Sequence, residues 1–172
     1  MQQQRTQKTQ RNRKSQEPLI DVSIITRYFA IWILGALASY GVGVVVKMAN
    51  AASPTGQTGN GILRFSEVHN TGAAFNLFAN QPEMIITASF FAIAILTFII
   101  LIASSKLTHT TASAMAALSG GITMNMIERL QYGYVIDYIH LETVPDFPVF
   151  NVADILIVVG AVVLLLSVLT KR

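Results

Sequence analysis

Four stretches of this chain are too apolar and too long to be ordinary core elements. Tyr28 to Val46 is uncharged for 19 residues, Met84 to Ser105 is uncharged and the most apolar, and Leu107 to Ile127 has no formal charge. From Phe147 to Thr170 the single formal charge is Asp154. A helix needs about 20 apolar residues to cross the hydrocarbon core of a bilayer. Composition agrees: 52% of the chain is apolar and only 12% is charged, against about 25% charged in soluble domains. The expected fold is an all-α membrane bundle of four transmembrane helices with a small β element. Its spans are expected near 28–46, 84–105, 107–130 and 150–170, with outer loops at 47–83 and 131–149.

Charge sets the expected orientation. Arg5, Lys8, Arg11, Arg13, Lys14, Arg27, Lys106, Lys171 and Arg172 fall on one side of a four-span chain, and Lys47, Arg64 and Arg129 on the other. The basic side faces the cytoplasm, so both termini are expected there. Residues 1–27 read as a disordered basic tail, poor in anything to bury. The net charge of +3 is concentrated in that tail and is no signal for nucleic acid. Ala49-Asn50-Ala51 imitates a leader-peptidase site, but the preceding apolar run exceeds the roughly 7–15 residues of a signal-peptide core. An uncleaved span is expected. Gly35, Ser39 and Gly43 place small residues on one face of it, suited to close helix packing.

The outer loops carry strand signals. Ile62 to Asn70 alternates, and Tyr134 to Leu141 reads as a second strand. Pro82 and Glu83 suit the first turn of the second span. The third run is different in kind. Gly121, Asn125 and Glu128 recur at helical spacing, with Arg129 beside them, so one polar face must turn inward.

Asp137 and Asp154 are the candidate catalytic pair. A carboxylate about one turn inside a span costs several kcal/mol unless it faces protein, water or a partner. Two neighbouring carboxyls share a proton. One then activates water while the other donates to a scissile carbonyl, and the pair titrates as a unit. They are expected within a few ångströms or one water of each other, facing a cavity open to the outer leaflet. Asn151, three residues before Asp154, is placed to orient a carboxylate or substrate. Arg129 is placed either to balance the pair's charge or to fix Asn70 and its loop. Gly72 and the alanines of NTGAAF, Asn70 to Phe75, allow close backbone approach. Each residue also has a structural reading: Asp137 as a surface acid, Asp154 as an ion-pair partner of Arg129, Asn70 as a turn residue, Asn125 and Asn151 as interhelical glue.

Other chemistries lack their residues. There is no cysteine, so thiolate sites are excluded. His69, His109 and His140 have no metal spacing, no HExxH is present, and no phosphate loop, Ser-x-x-Lys or G-x-S-x-G pattern occurs. No metal and no cofactor are expected. The competing reading is a non-enzymatic four-helix protein whose acids line a proton or solute path.

The blocks NTGAAF at Asn70–Phe75, GG-x-x-x-N-x-x-x-R at Gly120–Arg129, G-x-V-x-D at Gly133–Asp137 and FNVAD at Phe150–Asp154 occur in order. Together they resemble lipoprotein signal peptidase, also called signal peptidase II, across roughly residues 28–170. That family comprises bacterial inner-membrane aspartyl endopeptidases. The resemblance implies cleavage of diacylglyceryl-modified prolipoproteins just before the lipidated cysteine. It implies Asp137 and Asp154 as catalytic residues, with Asn70, Asn125, Arg129 and Asn151 in support. It further implies a small extracytoplasmic sheet, a short amphipathic helix and binding of globomycin-like inhibitors. The chain is expected to act as a monomer near the outer face of the membrane. It departs from the family pattern at Gly43 (usually Asp), Met124 (usually Gly), Glu128 (usually Asp) and Ile155 (usually Ser), which reads as a divergent member.

Overall fold

A computed structural model describes residues 20–53, 55–56, 58–73 and 77–170. Four helices are joined by a three-stranded antiparallel sheet: α1 Val22–Ala52, β1 Thr58–Gly59, β2 Leu63–Asn70, α2 Pro82–Ala103, α3 His109–Tyr132, β3 Val135–Leu141 and α4 Val152–Leu169. A single 3-10 turn, Ser104–Lys106, separates α2 from α3. Among the described residues three helical stretches are long and apolar enough to cross a membrane: Val22–Ala52, Pro82–Lys106 and Val152–Leu169. The more polar α3 is not among them. It is the helix the others pack around, touching α1, α2, α4 and β3. No short amphipathic helix is present among the described residues.

Local chemistry explains the helix limits. Asp21 caps α1 by accepting from the backbone N–H of Ser23 at 2.9 Å and of Ile24 at 3.3 Å. The helix therefore starts at Val22, so residues 22–27 are helical, not part of a disordered tail. Residues 1–19 of that tail and Lys171–Arg172 lie outside the described residues. At its other end α1 continues through the expected loop residues 47–52, which contain nothing that breaks a helix. Pro82 opens α2 with Glu83 in its first turn. The third helix lies two residues later than expected. Thr108 caps it by accepting from Thr111 N–H at 3.1 Å, and Gly133 ends it at φ +81°, a left-handed conformation that glycine adopts freely.

Small residues let the helices approach. A Cβ on Gly121 would collide with the Ala153 carbonyl and Ile157, and one on Gly160 would meet the Ala114 carbonyl at 2.8 Å. Gly120 lies against the α1 backbone at Trp32 and Ala36. Of the expected α1 stripe, Gly35 faces Leu156 of α4, Ser39 is buried, and Gly43 faces Tyr138. Polar cross-links reinforce this packing: the Tyr28 hydroxyl lies 3.0 Å from Thr97 and 2.9 Å from Ser119, and Trp32 Nε1 donates to Thr123 at 2.8 Å.

The β2–β3 pairing is irregular, and the irregularity matters. Phe65 pairs with Ile139, but Val68 pairs with Asp137. Ser66 and Glu67 therefore oppose Tyr138 alone, a β-bulge. A one-residue slip turns every later side chain to the other face of a strand. With this slip Asn70 and Asp137 share a face; in the unslipped register they would lie on opposite faces.

Candidate active site

The site forms where β3, the end of α3 and the start of α4 meet. Backbone bonds between Ile139 and Phe150, N–H to O 2.8 Å one way and 3.2 Å the other, fold the 142–149 connection back. Asn151 is thereby delivered beside Asp137. Asn151 also opens α4, and there it forms a capping box with Asp154. Its side-chain oxygen accepts from Asp154 N–H at 2.9 Å, while its own N–H donates to Asp154 Oδ2 at 3.0 Å.

One asparagine consequently touches both acids. Asn151 Nδ2 donates to Asp137 Oδ1 at 2.9 Å and to Asn125 Oδ1 at 3.1 Å. Asn125, on α3, donates to Asp154 Oδ1 at 2.8 Å. Asn70, at the end of β2, donates to Asp137 Oδ2 at 2.9 Å and accepts from Gly72 N–H at 3.0 Å. The result is a continuous amide–carboxyl network from Asn70 through Asp137, Asn151 and Asn125 to Asp154. Asp137 is only 3% exposed. Burial pushes its carboxyl up to about 7, the charge of Asp154 adds to the rise, and the Asn70 and Asn151 hydrogen bonds and Arg129 oppose it.

The structure brings together every candidate residue named above, though not always in the expected role. Arg129 pairs with neither aspartate; the single ion pair among the described residues is Arg64–Glu142. Instead Arg129 donates to the carbonyls of Gly72 and Asn125, so it pins the Asn70 loop to α3. The reading of Asp154 as an ion-pair partner of Arg129 is thereby corrected: neutral amides hold that carboxylate. Gly72 acts through its backbone, offering N–H to Asn70 and C=O to Arg129. Ala74 and Phe75 of the NTGAAF block lie outside the described residues.

A cavity is present, but not where it was expected. A cleft of about 260 Å³ runs between α1, α3 and the sheet, lined by Lys47, Glu67, Glu128 and Tyr138 among others. A water-sized void beyond it touches Ser39, Asn125 and Asn151. Neither is lined by Asp137 or Asp154; the asparagines stand between. Two connections were not foreseen. Glu128 accepts from Ile136 N–H at 2.8 Å, and the Tyr138 hydroxyl accepts from Val152 N–H at 3.4 Å. The inward polar face of α3 pointed to Glu128; no sequence signal distinguishes Tyr138. No group of three or more metal-ligating side chains occurs among the described residues.

Comparison with known proteins follows the same outline. A model of the family described as signal peptidase (SPase) II matches residues 22–170. A protein named lipoprotein signal peptidase from Dehalococcoides mccartyi is 38% identical over 122 residues, 69% of this chain and 74% of that protein. One of the same name from Clostridium tetani is 33% identical over 109 residues, 62% of this chain and 69% of that protein. Two solved structures, each described as a bacterial membrane enzyme studied by the in meso method, superpose with TM-scores of 0.67 and 0.65. They are 20% and 21% identical and cover 87% of this chain and 88% and 94% of their own, which speaks for the fold alone. With the family match extending over all four helices and the sheet, the chain belongs to the signal peptidase II family.

Proposed function

We propose that this protein is a membrane aspartyl endopeptidase that removes the signal peptide from diacylglyceryl-modified prolipoproteins, cutting before the lipidated cysteine. Family membership makes it a protease of lipoprotein processing. The observation that carries the mechanism is Asn151: one side chain and its own N–H reach both Asp137 and Asp154. Burial raises the Asp137 carboxyl to about 7, so in this reading the pair works with one proton near neutral pH. The ionised member takes a proton from water as it attacks the scissile carbonyl, while the protonated member gives its proton to the carbonyl oxygen. As the C–N bond breaks, the first passes the proton it took to the leaving amine and the second takes back the proton of the tetrahedral hydroxyl, which restores the pair. No redox or group-carrier chemistry enters, and Asn70 and Asn125 keep the carboxyl oxygens aimed.

In this reading α3 completes a set of four spans, its polar face turned inward to the site and its neighbours shielding it from lipid. The sheet and both aspartates lie at the outer rim, both termini in the cytoplasm. The substrate enters sideways, since lifting its diacylglyceryl chains into water costs about 0.8 kcal/mol per CH₂. The protein works as a monomer and binds globomycin-like inhibitors. A proton or solute path has less support: α1 and α2 contribute no carboxylate to the network.

The test is cleavage of a diacylglyceryl prolipoprotein peptide by the purified full chain, beside the unmodified peptide and in chelator. Only the lipidated peptide is expected to be cut, and chelator is expected to change nothing. Asp137→Asn and Asp154→Asn should each lower kcat by at least about a hundredfold. Wild-type rates in both variants would remove the aspartyl mechanism.

A further inference from the structure

The cleft of about 260 Å³ is not part of the catalytic network, and its lining has a chemistry of its own. Side chains alternate across a strand. Ile136 and Tyr138 line the cleft, so Asp137 between them points to the opposite face of the sheet. The cleft is a back-face site. Its polar lining comprises one cation, Lys47, two acids, Glu67 and Glu128, the amide of Gln131 and the hydroxyls of Tyr40, Tyr132 and Tyr138. No ion pair joins Lys47 to either acid; the ion pair among the described residues lies elsewhere, at Arg64–Glu142. Gly43 belongs to the same lining, and the nearest atom to a Cβ built there is Tyr138 Cε1 at 3.6 Å. A side chain at that position would project into the cleft; glycine leaves it open.

Height in the membrane follows from α1. Arg27 and Lys47 are twenty residues apart on one helix, a rise of about 30 Å, which is the thickness of the hydrocarbon core. If Arg27 marks one interface, Lys47 marks the other. The cleft then opens at the level of lipid headgroups, beside exposed Tyr40, Val44 and Val45 of α1. At about 260 Å³ it falls just below the roughly 300–1,000 Å³ of sites for drug-sized molecules. It suits a headgroup, not a whole ligand of that class.

We infer that this cleft binds the zwitterionic amine–phosphate headgroup of a bilayer lipid, with the phosphate on Lys47 and the ammonium between Glu67 and Glu128. The charges select the class. A simple anion meets two carboxylates, and a simple cation meets Lys47; a ligand carrying both signs a few bonds apart satisfies all three. Tyrosines share this lining, and an aromatic face attracts a cation. The occupant also bears on the catalytic side. Glu128 holds Ile136 N–H, next to Asp137, and Tyr138 accepts from Val152 N–H, next to Asn151.

The inference rests on the outer-rim placement proposed above, and its readout, bound lipid, is independent of proteolysis. The full chain is released from nanodiscs holding equal phosphatidylethanolamine and phosphatidylglycerol of matched acyl chains, and retained lipid is weighed by native mass spectrometry. Wild type should retain the ethanolamine lipid in preference by about tenfold, the scale of one charge-assisted contact. Lys47→Ala should lose most of the retained lipid, Glu67→Gln should lose the preference, and Gly43→Leu should block entry with all charges intact. Free glycerophosphoethanolamine should compete and inorganic phosphate should not, which separates the headgroup from a bare anion site. Equal retention of the two lipids by wild type overturns the proposal without any variant. So does displacement by inorganic phosphate, or unchanged retention in a folded Lys47→Ala protein. Cleavage of the lipidated peptide under the same conditions would leave the peptidase reading standing in each case.

Discussion

The two aspartates sit in one network yet are held by different kinds of structure. Asp154 is half-buried on the first turn of α4, and much of its support is local: three residues earlier, Asn151 exchanges backbone and side-chain bonds with it in a capping box. Asp137 is buried in a strand, and its side-chain donors come from 67 residues before and 14 residues after it. A helix N-terminus is an intrinsically favourable place for a carboxylate. A buried strand position is an unfavourable one, and there the carboxyl is pushed up to about 7. The pair is thus asymmetric before any substrate arrives. Asp154 is held largely by its own helix turn, whereas tertiary burial favours the neutral form of Asp137. Asn151 is where the two kinds of support meet.

Removing that meeting point should have the largest effect. Asn151→Ala deletes the amide on Asp137 and the cap on α4 together. Peptidase activity should fall by about a hundredfold or more, with a stability loss of about 1 kcal/mol from the cap alone. Activity and thermal unfolding of the same preparation check both. An Asn151→Ala enzyme of normal rate would mean that the two aspartates do not act through this residue.

The raised carboxyl predicts a pH dependence whose sign is fixed. Between about 4 and about 7 folded Asp137 keeps a proton that the unfolded chain has lost. The folded state binds more protons there, so this residue makes stability fall as pH rises, by at most about 1.4 kcal/mol per pH unit. Above about 7 both states are ionised and its contribution levels off. Asp137→Asn should remove that slope and be more stable than wild type at neutral pH, as measured by unfolding midpoints from pH 4 to 8. Asp154→Asn should not gain in this way, because its carboxylate serves the cap. Equal behaviour of the two variants would erase the asymmetry.

The smallest effect separates cap from amide. Serine caps helices about as well as asparagine but cannot donate an N–H to Asp137. Asn151→Ser should leave the unfolding midpoint within about half a kcal/mol of wild type while activity is lost as in Asn151→Ala. A large loss of stability would show that the long-range amide bonds, not the cap, hold this end of α4.

Much of this was legible in the chain. Apolar runs, a polar face at Gly121, Asn125 and Glu128, and a lone acid at the head of the last run follow from helical period and the cost of placing polar groups among apolar ones. Those rules act within a few turns, so residue order suffices to apply them. The same locality places Pro82 in the first turn of α2, and it lets Asp21, a good N-cap residue, start α1 within the stretch expected as tail. Asp137 is another matter. Its surroundings depend on the bulge at Ser66 and Glu67, which turns Asn70 to its face of the sheet, and on the bond from Phe150 to Ile139 that returns Asn151 to it. Bulge position, strand pairing and the closing of a loop are settled by the balance of packing over many distant contacts. No short window of residues contains that balance, and for the same reason the back-face cleft between α1, α3 and the sheet emerged only once the chain was folded.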